Sequence, residues 1–207
     1  MNCIRKYFPD LTPAQVALLQ RLEPLYRSWN ERLNLISRKD IDRLYERHVL
    51  HSLAIAKAAQ FADGTKMLDA GTGGGFPGIP LSIALPQCRF TLADSVGKKV
   101  AAVQEIASAL RLNNVQVVQT RVEALPQKFD FVVSRAVADL PTFAGWVWDK
   151  IIPGGQCSIP NGILYLKGGD LTEELKGVAQ EASVMAISDF FDEAFFETKK
   201  IVHVKKH

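Results

Sequence analysis

Two periodicities divide the chain. From Thr12 to about residue 60, apolar residues recur every three or four positions. Val16, Leu19, Leu22, Tyr26, Trp29 and Leu33 make one stripe, and Ile41, Leu44, Tyr45, His48 and Ile55 a second. That spacing predicts two amphipathic helices. Thr12-Pro13 offers a hydroxyl cap and a proline at the first helical position, and Pro24 is expected to kink the first helix. Ser37-Arg38-Lys39-Asp40 fits a capping box that opens the second. From residue 66 the period shortens. Strand-like runs fall at 66–70, 89–93, 115–119, 129–133, 162–166, 183–190 and 196–205, with helical stretches at 77–85, 97–111, 121–124 and 141–151. Strands alternating with helices predict βαβ units and a parallel sheet. The last two strands have no helix between them and should pair antiparallel at one edge.

The first of these strands runs into Asp69-Ala70-Gly71-Thr72-Gly73-Gly74-Gly75-Phe76-Pro77-Gly78. Four glycines in five positions let a ligand approach the backbone closely, and a glycine loop between strand and helix is a ligand cradle of α/β sheets. Asp69, Gly71, Gly73 and Gly75 put a carboxylate at the strand tip. It would repel a pyrophosphate but suits a ligand with an amino group and a sulfonium, which is S-adenosylmethionine (AdoMet). Gly73 to Gly78 also satisfies the dinucleotide pattern G-x-G-x-x-G, and Asp94 follows at about the required 20 residues. In that reading the first glycine comes two residues late, and Pro77 takes the place of a phosphate-facing amide. A plain turn needs only one or two glycines. The loop therefore favours AdoMet.

Composition narrows the setting. The chain has 207 residues, 47% hydrophobic and 23% charged, with a net charge of +3. This suits one sizeable domain with an appendage: a helical extension at 1–60 on the substrate side and an AdoMet-binding domain at 61–207. Cys3, Cys88 and Cys157 lie far apart with no C-x-x-C pair, so neither a disulfide framework nor a zinc site is expected. No apolar run approaches a membrane span and no leader pattern is visible. The expectation is a cytoplasmic, monomeric protein without metal or membrane contacts. His48 and His51 have the spacing of two metal ligands but lack a third, and His48 shares a stripe with apolar residues. Arg21, Arg27, Arg32, Arg38, Lys39, Arg43 and Arg47 accompany Tyr26, Trp29 and Tyr45 in the helical part. Arginines beside aromatics suit RNA, although a solvated helix face explains them equally well.

Ligands of open α/β sheets sit at the carboxyl ends of the strands. Those ends carry Asp69 to Phe76, then Asp94-Ser95 for ribose hydroxyls, Arg121-Val122-Glu123 for an adenine ring, Ser134-Arg135-Ala136, and Lys167-Gly168-Gly169. An N-cap role for Asp94 competes with the ribose role. The fourth end lacks the Asn/Asp-Pro-Pro-Tyr/Phe tetrapeptide of adenine amino-methyltransferases. Cys157 has no context for nucleophilic attack on a pyrimidine. What remains is an atom that is already nucleophilic, such as guanine N7, whose lone pair needs no general base. Catalysis is then alignment in a dry pocket, with Arg135 holding either the guanine O6 edge or the cofactor.

These residues together resemble the bacterial RsmG (GidB) family. The resemblance runs through Trp29-Asn30, Asn34-Leu35, Arg47-His48, Ser52-Leu53, Leu68 to Leu81, Asp94-Ser95, Lys98-Lys99, Arg121-Val122-Glu123, Ser134 to Ala138 and Lys167-Gly168. Gly75-Phe76-Pro77-Gly78-Ile79-Pro80-Leu81 and Ser134-Arg135-Ala136-Val137-Ala138 are its most specific stretches. It implies a class I AdoMet-dependent methyltransferase fold, seven-stranded with a terminal antiparallel hairpin, and methylation of a guanine N7 in 16S rRNA of the small ribosomal subunit or its assembly intermediate. It implies cofactor contacts at Gly71, Phe76, Val122, Glu123 and Arg135, beside Asp69, Gly73, Gly75, Asp94 and Ser95 from the strand ends. Trp29, Asn30, Asn34 and His48 are expected to face the same mouth, with Lys98, Lys99, Ser134 and Lys167 on the substrate side. The chain departs from the family pattern at His51, where Asp is usual, and at Lys99, where Arg is usual and its bidentate fork is lost. A methyltransferase acting on a small molecule or protein, an oxidoreductase and an AdoMet sensor are the competing readings.

Overall fold

The computed structural model describes residues 1–207. Strands β1 (Lys66–Ala70), β2 (Arg89–Asp94), β3 (Val115–Gln119), β4 (Phe131–Arg135), β5 (Gly162–Gly168), β6 (Ala182–Ala186) and β7 (Lys199–Lys205) form one sheet in the order β3-β2-β1-β4-β5-β7-β6. The first five are parallel. β7 runs antiparallel between β5 and β6, so the terminal hairpin exists, and its second strand is the inner one. β1, β4 and β5 are buried along most of their length, and the chain writes them as Met67-Leu68, Phe131-Val132-Val133 and Ile163-Leu164-Tyr165-Leu166. Continuous apolar runs of this kind belong to strands covered on both faces. The chain winds outward from β1 through β2 to β3, then returns to place β4 on the other side of β1. The order therefore reverses between β1 and β4, where such sheets open a crevice.

Helices cover both faces: α4 (Gly78–Ala84), α5 (Gly97–Ala109), α6 (Leu140–Val147) and the short α7 (Thr172–Lys176) within the sheet unit, and α1 (Asn2–Tyr7), α2 (Pro13–Asn30) and α3 (His51–Ala58) before it. α2 begins at Thr12 with the full reciprocal cap, the hydroxyl accepting from Gln15 N and the Gln15 side chain accepting from Thr12 N. It runs through Pro24 to Asn30, which leaves Leu33 beyond its end. The expected second helix is built differently. Ile41–Arg43 is a 3-10 turn, Tyr45–Leu50 a π-helical stretch, and only His51–Ala58 is regular. No capping box forms at Ser37. Asp40 takes the cap position without a side-chain cap hydrogen bond, its carboxylate turned to Arg47 at 2.6 Å instead. The expected strand at 183–190 ends at Ala186, where Ile187–Asp189 turns, and β7 starts three residues later than its apolar pattern. α1 carries too short a pattern to be read from sequence.

Leu19, Leu22 and Tyr26 of α2 share one buried cluster with Phe76, Ile79, Leu92 and Val103 around the glycine loop. The Tyr26 hydroxyl, inside that cluster, donates to the Gly74 carbonyl at 2.6 Å. The N-terminal helices are thereby fastened to the loop.

Candidate active site

Asp69, next to last in β1, organises the loop from below. Its Oδ2 accepts from the Thr72 hydroxyl at 2.6 Å and from Gly78 N at 2.8 Å, while Oδ1 has no partner. The side chain is fully buried, and desolvation pushes its pKa up to about 7. Asp69 lies beneath the glycine loop and does not line the cavity above it. Gly75 does not line that cavity either. At φ +90° a Cβ there would lie 2.8 Å from Ile79 and 3.0 Å from the Tyr26 hydroxyl, so this glycine serves packing beneath the loop.

Above the loop lies a cavity of about 540 Å³. Gly71, Gly73 and Phe76 form its floor, Asp94, Ser95 and Lys99 the β2 end, Val122 and Glu123 the β3 end, and Arg135 to Val137 the β4 end. Gly71 has φ +69°, and a Cβ on it would sit 2.7 Å from Val137 Cγ2, so only glycine leaves this approach open. Asp94 is not the cap of α5, whose N-cap is Val96. Its Oδ2 accepts from Gly73 N and its Oδ1 from Val96 N, both at 2.8 Å, which ties the β2 end to the glycine loop. A carboxylate has further lone pairs for a diol. Leu35, Phe143 and Trp146 also line the cavity, and the last two carry no sequence signal for it.

Arg135 emerges from β4 into the crevice between β1 and β4. Its guanidinium donates to the Arg47 carbonyl at 3.3 Å, lies 3.0 Å from His48 Nδ1, and sits 5.2 Å from the centre of the Phe76 ring. A guanidinium only donates, so His48 Nδ1 accepts and the ring proton is on Nε2. Burial first, then the Arg135 charge, lowers the His48 pKa to about 3. Burial also lowers Arg135 to about 10, against a raising influence from Asp69. His48 is thus a neutral, fixed imidazole. The backbone next to Arg135 is unusual: Ala136 has φ +54°, and non-glycine residues enter that region at a cost. Tyr165 holds the turn, its hydroxyl accepting from Val137 N and Ala138 N and donating to the Ala138 carbonyl at 2.8 Å.

A second cavity, of about 400 Å³, opens on the other side of Arg135 and Ala136. His48 and Lys167 line it together with Asp40, His51, Glu174 and Lys199. Five of the expected substrate residues line neither cavity. Asn30 accepts from Leu35 N and Ile36 N and donates to the Ile36 carbonyl, so it shapes the turn that carries Leu35. Ser134 is fully buried and donates to the Ala70 carbonyl at 2.7 Å, joining β4 to β1. Trp29 packs on the core under Arg32, and Asn34 and Lys98 are exposed outside both cavities. Part of the arginine-rich surface is internally paired: Arg21 with the Ala109 carbonyl, Arg27 with Glu23 and Asp42, and Arg47 with Asp40.

Residues 15–202 match the family model of rRNA small subunit methyltransferase G (GidB). The chain belongs to this family. It is 55% identical over 204 residues to ribosomal RNA small subunit methyltransferase G of Flavobacterium psychrophilum, covering 99% of this chain and 97% of the relative. It is 50% identical over 203 residues to the protein of the same name from Bacteroides thetaiotaomicron, at 98% of both. Among solved structures, a SAM-dependent methyltransferase from Aquifex aeolicus superposes with a TM-score of 0.57 at 16% identity, covering 82% of this chain and 98% of that one. Precorrin-6y C5,15-methyltransferase from Geobacter metallireducens gives 0.52 at 15%, over 84% and 91%. The fold is that of the class I AdoMet-dependent methyltransferases, as the strand pattern and glycine loop implied. No helix is long and apolar enough to cross a membrane.

Proposed function

We propose that the chain transfers the methyl group of AdoMet to N7 of a guanine in 16S rRNA, acting as a monomer on the small ribosomal subunit or its assembly intermediate. The observation that carries this reading is the junction between the two cavities. The residues common to both are Arg135 and Ala136. Neither is a base, and the nearest imidazole, His48, is held neutral with its Nδ1 engaged and its pKa near 3. A site without a base at the meeting point suits a nucleophile with a ready lone pair, and guanine N7 is one.

The first cavity fits AdoMet by its shape and chemistry: Gly71 leaves an approach that any side chain would close, and Asp94 and Ser95 offer acceptors and a hydroxyl to a ribose. Val122 presents an apolar surface to the adenine, with Glu123 at its rim. When bound, AdoMet supplies an electrophilic methyl carbon on a sulfonium. The protein's own contribution is alignment and exclusion of water. Arg135 is held by Arg47, His48 and Phe76 and positions the reacting partners at the junction. The residues 1–60 form a substrate-side extension that carries Leu35 to the first cavity and His48 to the second. Lys98 and Lys99 sit in the first turn of α5, where cations oppose the helix dipole. That placement is explained if the two lysines meet RNA phosphates.

The test is transfer of tritium from methyl-labelled AdoMet to small-subunit particles from cells lacking the enzyme, followed by digestion and separation of nucleosides. The expected product is labelled 7-methylguanosine, absent with Gly73→Asp. No label in particles or naked rRNA, despite AdoMet binding, would overturn the RNA reading.

A further inference from the structure

The second cavity meets the first across Arg135 and Ala136, so a group seated in it adjoins the reacting centre. Its volume of about 400 Å³ suits one nucleotide and is far too small for a duplex. An enzyme that acts on a base needs that base unstacked, either extruded or single-stranded. We propose that this cavity is the seat of the unstacked target guanosine, and that Asp40 and Glu174 read the donor edge of its base. The inference rests on the functional reading above and names the binding mode of its substrate.

The lining matches guanine. Its Watson–Crick edge offers two donors, N1–H and the N2 amino group, beside the O6 acceptor, whereas adenine presents an acceptor at N1 and an amino donor where guanine has O6. Asp40 uses Oδ1 for Arg47 at 2.6 Å, and its Oδ2 makes no hydrogen bond. Glu174 uses Oε2 for Leu140 N and Lys167 Nζ, both at 2.8 Å, and its Oε1 makes none. Each carboxylate is therefore anchored by one oxygen and free to accept with the other. Lys167 and Lys199 supply cations for O6 or for phosphate, and the Phe195 ring lies under Lys199 Nζ at 5.0 Å. An independent feature also calls for a ligand. His51, only 6% exposed, lines the cavity, and its Nε2 is buried with no hydrogen-bond partner. An unpaired buried nitrogen is costly, and a bound nucleoside with hydroxyls and ring nitrogens relieves it.

The test uses the full chain saturated with S-adenosylhomocysteine, so that the cofactor cavity is filled, with GMP and AMP as probes. Binding is read by saturation-transfer NMR and by calorimetry. GMP should bind at least about tenfold more tightly than AMP, and D40N/E174Q should erase that preference while S-adenosylhomocysteine affinity is kept. On small-subunit particles the same variant should lower kcat for 7-methylguanosine formation more than it changes KM. If the double variant fails to keep its S-adenosylhomocysteine affinity, His51→Phe serves instead, with GMP affinity expected to fall about tenfold. Equal binding of GMP and AMP, no GMP contact, or a GMP preference that survives these substitutions would overturn the inference. If wild-type enzyme still methylates particles in that case, only the cavity assignment fails. If it forms no 7-methylguanosine, the functional reading itself fails.

Discussion

Asp69 makes the stability of this protein depend on pH in a direction opposite to that of most carboxylates. Burial raises its pKa from the ordinary 3.8 to about 7 in the folded chain. Between those values the unfolded chain has released its proton and the folded chain still holds it. Stability therefore falls as pH rises through this window, and is level below it and above it. One pKa unit corresponds to about 1.4 kcal/mol, so with the approach to the folded pKa included the loss from pH 5 to pH 7 is about 2 kcal/mol. Asp69→Asn keeps the side-chain shape and one oxygen for Thr72 and Gly78, and removes the titration. Urea unfolding of both proteins at pH 5, 6 and 7 should show the variant gaining about 2 kcal/mol on the wild type across the range. Parallel pH profiles would refute the reasoning. They would mean that Arg135 and the two hydrogen bonds outweigh desolvation and keep Asp69 ionised throughout.

Other expectations follow from the same geometry. Gly71→Ala should weaken AdoMet binding by tenfold or more in calorimetry with the fold intact, because its Cβ would meet Val137 at 2.7 Å in the approach to the cavity. Tyr165→Phe leaves Val137 N and Ala138 N without their acceptor. It should cost about 1–3 kcal/mol in chemical unfolding and lower kcat more than AdoMet affinity, since it loosens the turn that follows Arg135. Nitrogen-15 NMR should find His48 neutral, with its proton on Nε2, between pH 5 and 8. Its lowered pKa also withdraws stability as pH falls below the ordinary 6.5, because only the unfolded chain then takes up the proton.

What the sequence determined by itself follows from short-range physics. Strand and helix periods along 66–205 are local properties, and a parallel sheet with a terminal hairpin is the arrangement that buries those apolar runs. That the glycine loop, Asp94 and Ser95, Val122 and Glu123, and Arg135 meet around one cavity was legible because strand ends of such a sheet converge on one crevice. The roles of Asp69, Gly75, Asn30 and Ser134 were not legible, because a polar or small residue near a site looks the same whether it faces the ligand or holds the backbone that does. Only tertiary packing separates the two. It places Asp69 beneath the loop, spends Asn30 on the turn at Leu35, and uses the Ser134 hydroxyl between β4 and β1. The second cavity is wholly a product of that packing. It brings Asp40 and His51 of the helical part together with Arg135, Glu174 and Lys199, which lie up to about 160 residues away along the chain, and no local pattern encodes a meeting at that separation.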